Sequence, residues 1–135
     1  MGQEVAIVPN NILIDTDVLI DYLRAKENAV AFLESQPRSM SISSITVAEL
    51  YAGVRDGKER IILDDFIEAF EILPLTTEVA QKGGIYRRDF GKSHGVGLAD
   101  AIIAATTEIN NAVLITLNER HFPMLTNLLV PYRKL

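Results

Sequence analysis

Four short strand-like runs, Ile12 to Ile14, Met40 to Ser43, Ile72 to Leu75 and Ala112 to Thr116, are each separated from the next by one or two stretches of helical periodicity. Strands joined through helices cannot form tight hairpins; they pair in parallel and need helices packed against the sheet. The sequence therefore predicts an α/β domain with a central, mainly parallel sheet of about four or five strands flanked by helices. Val18, Leu19, Tyr22 and Leu23 mark a first helix, and Val30, Phe32 and Leu33 a second that stops before Pro37. A third begins at Ser43-Ser44, carries Val47, Leu50, Tyr51 and Val54, and ends at Gly57. Ile61, Ile62, Phe66, Ile67 and Phe70 give a fourth helix a wide apolar face, and Pro74 puts the next strand at a sheet edge or strand end. Thr76 and Thr77 cap a longer helix through Val79, Tyr86 and Phe90. Its Gly83-Gly84 pair costs about 1 kcal/mol per glycine relative to alanine and reads as a place where another backbone comes close. A loop over Gly91 to Gly97 then leads into a helix over Leu98 to Ile109.

Acids stand where these strands hand over to helices: Asp15 and Asp17, Glu49 and Asp100, each framed by apolar residues. Ligands of open α/β sheets gather at the carboxyl ends of strands, which is where Asp15 falls. The plainer reading of Asp15 or Asp17 is a helix cap, but a cap needs one acid and here there are two. Asp100 opens a helix whose first half, Leu98 to Ala105, is apolar nearly all round, so the helix is expected to be buried. A carboxylate there needs a cation or hydrogen bonds, because a helix N-terminus returns only about 0.3–1 kcal/mol. Glu49 fits a capping box with Thr46 and faces away from its helix's apolar stripe, and becomes a third ligand only in company with Asp15 and Asp100. Thr116 and Asn118 follow the last strand as Asp15 follows the first, which brings a hydroxyl and an amide to the same sheet edge; Asn118 equally suits a plain turn.

The chain has 135 residues, enough for one domain, with residues 1–10 as a short N-terminal extension. Cysteine is absent, which excludes thiolate metal sites and disulfides and makes the cytoplasm the expected compartment. Met1 to Pro9 lacks the basic region of a secretory signal, and no apolar run reaches the roughly 20 residues of a membrane span. His94 and His121 are far apart, so a metal would be held by oxygen, which favours Mg²⁺ or Mn²⁺ over zinc. With a net charge of −5 the surface as a whole repels a polyanion. Basic groups that offset this cluster at Arg87, Arg88, Lys92 and His94, at Arg55, Lys58 and Arg60, and at Arg120, Arg133 and Lys134.

With these segments in order the chain resembles a PIN domain, most closely the VapC-type toxins of toxin–antitoxin pairs. The resemblance rests on Leu13 to Ile20 (LIDTDVLI), Ser43 to Gly53 (SSITVAELYAG), Gly95 to Thr106 (GVGLADAIIAAT), and Val113 to Asn118 (VLITLN) with Phe122. It spans nearly the whole chain from Asn11 and implies a single PIN domain and a Mg²⁺- or Mn²⁺-dependent endoribonuclease. It also implies a homodimer inhibited by a VapB-type antitoxin whose peptide enters the active-site groove. By position, Asp15, Glu49 and Asp100 match the family's acidic ligands, with Asp17 as a further source of charge. Asn118 stands where many members have a fourth acid, and His121 precedes Phe122 where others have Asp, which weakens the case for a second ion.

On that reading Asp15, Glu49 and Asp100 hold the metal, Thr116 and Asn118 orient water or phosphate, and a water made more acidic by the ion attacks phosphorus. Arg87, Arg88 and Lys92 would position the RNA. Two other readings are weighed. A haloacid-dehalogenase-type phosphatase would share the Asp15-Thr16-Asp17 opening, but it needs a lysine and an acidic pair further on, and only Lys134 follows Thr116 here. A non-catalytic binding module on the same fold has no reason to keep the three acids.

Overall fold

A computed structural model describes residues 11–37 and 39–133. Strand β1 (Ile12–Ile14) is buried along its whole length. Successive strand side chains point to opposite faces, so Ile12 and Ile14 enter one core and Leu13 the other. The chain continues through α1 (Thr16–Leu23), α2 (Glu27–Ser35), β2 (Met40–Ser43), α3 (Ser44–Ala52), α4 (Lys58–Ile67) and β3 (Phe70–Leu73). Then come α5 (Thr77–His94), α6 (Leu98–Ile109), β4 (Val113–Ile115), a 3-10 turn (Glu119–His121) and β5 (Leu128–Leu129). The strand order is β3-β2-β1-β4-β5, and every pairing is parallel.

That order creates one place where the chain reverses direction across the sheet. From β1 it moves outward through β2 to β3, then returns to lay β4 on the other side of β1. The crevice beyond the carboxyl ends of β1 and β4 is therefore the switch point at which such sheets hold ligands. On one face Ile14, Ile42 and Ile115 pack with Val18, Leu19, Phe32, Leu50 and Leu63 from the first four helices. On the other, Leu13, Leu73 and Leu114 pack with Ile103 and Ala104 of α6. Among the described residues no helix is long and apolar enough to cross a membrane.

Side-chain caps fix where the helices begin. Asp15 accepts from the Thr16 N–H at α1, Ser43 from Ile45 at α3 and Thr76 from Val79 at α5. Several sequence expectations shift. Helix α3 ends at Ala52, and Gly57 instead opens α4 with φ +91, a conformation that favours glycine. Phe70 belongs to β3 and not to the fourth helix, because its backbone pairs with Met40. Helix α5 runs on to His94, leaving only Gly95 to Gly97 as the loop. The edge position expected from Pro74 holds for β3, and Leu128–Leu129 supplies the fifth strand beside β4.

Of the glycine pair in α5, only Gly83 serves close approach. A Cβ there would lie 3.1 Å from Ile102 Cγ1 and 3.2 Å from its Cα in α6, whereas one on Gly84 meets nothing within 4 Å. Gly83→Ala is therefore expected to destabilise by about 1–3 kcal/mol through overpacking. Gly84→Ala is expected to stabilise by up to about 1 kcal/mol through helix propensity. Urea melts of the two variants check this, and equal effects would contradict the packing argument.

Candidate active site

Asp15 leaves β1 at the switch point with both carboxylate oxygens engaged. Its Oδ1 accepts the Thr16 N–H at 2.8 Å, and its Oδ2 accepts the Thr116 hydroxyl at 2.8 Å. The second bond joins positions 101 residues apart and exists because β4 pairs with β1, the Asp15 N–H continuing the ladder to Ile115 O at 2.8 Å. Each oxygen keeps a further lone pair for another partner. Asp17, one turn edge further, turns Oδ2 to the Leu117 N–H at 3.1 Å.

Helix α3 brings the next acid. Thr46 is fully buried and stands 3.0 Å from the Thr16 hydroxyl, which donates to Glu49 Oε1 at 2.7 Å. The capping-box reading of Thr46 and Glu49 fails because α3 starts at Ser44 and is capped by Ser43. Asp100 arrives from the first turn of α6, where Gly97 supplies no side-chain cap. The burial expected for the start of α6 is corrected too: Leu98 is 56% exposed, and continuous burial begins at Ala101. The Asp100 Oδ2 lies 3.0 Å from His121 Nδ1, and the same nitrogen lies 3.0 Å from the Asn118 side-chain amide. Asp15, Thr16, Asp17, Glu49, Asp100, Asn118, His121 and Phe122 line one cleft of about 230 Å³.

Burial, reinforced by the neighbouring Asp17 charge, pushes the Asp15 carboxyl up from 3.8 to about 8 against the opposing bonds from Thr116 and Thr16. A rise of that size is several kcal/mol, well beyond what the start of α1 returns to an anion. Burial also raises Asp100, with His121 pulling the other way. The cleft thus holds more negative charge than its surroundings stabilise. Its donors are carboxylate oxygens, the chemistry of a hard divalent cation. As the side chains are placed, no group of three Asp, Glu or His among the described residues is gathered tightly enough to hold an ion; Glu49 is turned to Thr16 and Asp100 to His121.

The acids, Thr116 and Asn118 expected from sequence thus meet at one crevice. Arg87, Arg88 and Lys92 do not line it. They ride on α5, where Arg88 Nε bonds Asp89 at 2.8 Å and the Arg87 guanidinium lies over Gly91. Arg24 and Arg55 instead line a trough of about 550 Å³ that shares Ile20 and Glu49 with the cleft. Lys134, the last of the basic groups picked out in sequence, lies outside the described residues. Thr16 was overlooked as a functional residue, although a hydroxyl between two acids in Asp15-Thr16-Asp17 was the available signal.

The PIN-domain family model matches residues 12–125. The ribonuclease VapC10 of Mycobacterium tuberculosis is 36% identical over 124 residues, covering 90% of this chain and 92% of that protein. Among solved structures, a toxin–antitoxin complex from Klebsiella pneumoniae contains a chain that superimposes with a TM-score of 0.80 at 27% identity, covering 92% of this chain and 100% of that one. VapBC2 of Rickettsia felis, bound to a DNA fragment from its promoter, gives 0.71 at 26% identity over 89% of this chain and 96% of that one.

Because the Asp15 carboxyl titrates higher in the fold than in the unfolded chain, the folded state holds the extra proton between 3.8 and about 8 and stability falls as pH rises through that window. In metal-free buffer the melting temperature should therefore drop from pH 5 to pH 9, and Asp15→Asn should flatten the drop. Parallel curves for the two proteins would contradict the assignment.

Proposed function

The chain belongs to the PIN-domain family, and from that premise we propose that it is a divalent-metal-dependent endoribonuclease, the toxin of a VapBC-type toxin–antitoxin pair. The observation that carries this reading is the convergence of Asp15, Asp17, Glu49 and Asp100, from three separate stretches of chain, on one cleft at the sheet's switch point. The match to curated ribonucleases over nine-tenths of the chain supports the substrate class, and the toxin–antitoxin complexes among its structural neighbours support the partner.

Asp15, Asp100 and Glu49, with Asp17 beside them, would hold Mg²⁺ or Mn²⁺, which when bound makes water more acidic and offsets charge on phosphate oxygens. The chain's own groups do the rest. Thr116 donates to Asp15 Oδ2 and accepts the Asn118 N–H at 3.1 Å, so one hydroxyl fixes both the acid and the turn that presents the Asn118 amide. That amide can donate to a phosphate oxygen or accept from a water. Thr16 holds Glu49 at the cleft wall until a cation competes for it. Arg24 and Arg55, lining the adjoining trough, suit the RNA backbone as it leaves the cleft, a role that falls to them better than to Arg87, Arg88 or Lys92 on α5. Target choice lies in the shape and single-stranded context of the RNA.

The antitoxin reading follows from the same charge. An acidic cleft attracts a guanidinium, whose planar fork can bridge two carboxylates. A second copy of the chain is also part of the proposal, with one change of surface. Phe66 stacks on Tyr22 at 5.3 Å and packs edge-on to Phe70 at 5.0 Å, so the apolar patch available to a partner is Ile61 and Ile62, 62% and 51% exposed.

Purified protein mixed with RNA tests the activity. Asp15→Asn and Asp100→Asn should each lower the cleavage rate by more than the about 100-fold that loss of an outer-shell partner costs. Chelator should stop cleavage, with Mg²⁺ or Mn²⁺ restoring it better than Ca²⁺. Wild-type rates in both variants would sink the assignment. For the dimer, Ile61→Glu, outside the trough, should lower the mass measured by light scattering to that of a monomer, and an unchanged mass would discard this face.

A further inference from the structure

We propose that His121 is the positioning residue of Asp100, and that His121 and Asn118 together limit the cleft to one divalent ion. The inference rests on the metal-dependent reading above and concerns residues that depart from the family's acids.

One nitrogen, His121 Nδ1, stands 3.0 Å from Asp100 Oδ2 and, as the amide is placed, 3.0 Å from Asn118 Nδ2. A carboxylate oxygen only accepts, so Nδ1 carries the hydrogen. Asn118 then serves the same nitrogen best with its amide oxygen turned to it, the two ends of an amide being exchangeable by a flip. The N–H is thereby shared between two acceptors, and Asp100 Oδ2 is committed to protein. Its other oxygen remains for a ligand in the cleft that both residues line. A carboxylate that ligates a metal is likewise held in orientation by a hydrogen bond from outside the coordination shell.

The same contact argues for a single ion. A second ion needs further carboxylates on the far side of Asp100, and there the chain supplies an amide and an imidazole N–H. A donor pointing at that side opposes a cation twice: it occupies the oxygen lone pair, and its own partial charge is positive. Asp15 and Glu49 are held instead by Thr16 and Thr116, and Asp17 by the Leu117 N–H. Charge is therefore arranged for one cation in the cleft.

The test uses the metal alone. Mn²⁺ is titrated into the metal-free full chain and followed by calorimetry and by electron paramagnetic resonance of free Mn²⁺, with melting curves for every variant. Wild type should bind one ion per chain, and Asp15→Asn should lose it. An asparagine amide nitrogen falls near the position of Nδ1, and a glutamine amide nitrogen near that of Nε2. His121→Asn should therefore keep affinity, while His121→Gln should weaken it about 10–100-fold without changing stoichiometry. His121→Asp should take up a second ion. Equal affinity in the Asn and Gln variants, or two ions in the wild type, overturns the proposal. Binding of no ion by a chain that still cleaves RNA would overturn the metal reading itself, a distinct outcome.

Discussion

The bond from Thr116 to Asp15 is where fold and site become the same thing. Asp15 is buried at the end of a central strand, an environment that disfavours its charge by several kcal/mol. It keeps a defined orientation because two donors from opposite ends of the chain meet it there, the Thr16 amide at the start of α1 and the Thr116 hydroxyl beyond β4. The second of these donors is in place only if β4 pairs with β1 in the register that sets Ile14 beside Ile115. A slip of one residue would turn Leu13 and Leu114 to the wrong face and remove the threonine as well. Core packing thus enforces the geometry of the acid, and the acid adds little to stability in return.

The rest of the cleft is built outward from that pair by hydroxyls. Thr16 links Asp15's helix to α3 through Thr46 and Glu49, and Thr116 links β4 to the turn bearing Asn118 and His121. A hydroxyl both donates and accepts, so one buried threonine can hold a carboxylate and an amide at once. A lone lysine or arginine in the same place would instead neutralise the acids and close the site to any other cation. The selection of neutral donors leaves the charge of the cleft unspent.

Much of this was legible in the sequence, and the exceptions have physical causes. The strands and the acids at their ends could be read because apolar runs interrupted by carboxylates fit few other structures. Phe70 was misassigned since its spacing continues the helical stripe of α4, and only pairing with Met40 makes it a strand residue. The extension of α5 across Gly91 was hidden because glycine signals a break, whereas here the Arg87 side chain covers it. Glu49 looked solvent-facing and is indeed exposed, yet its partner is Thr16 of another helix, a contact that no local pattern encodes. The basic residues were the hardest to place, since a surface arginine leaves no periodic trace of which groove it borders.

Their placement bears on how an acidic chain can handle a polyanion. At a net charge of −5, long-range attraction cannot gather RNA, and beyond a Debye length of about 8 Å in physiological salt the field of any one arginine is screened. On the function proposed above, capture would depend on short-range contacts at the cleft and in the trough that shares Ile20 and Glu49 with it. Arg24 and Arg55 line that trough, and among the described residues neither side chain has an ion-pair partner, unlike Arg60, Arg88 and Arg133. A cation entering the cleft would meet the opposite balance, since the acids there outnumber the basic groups that line it.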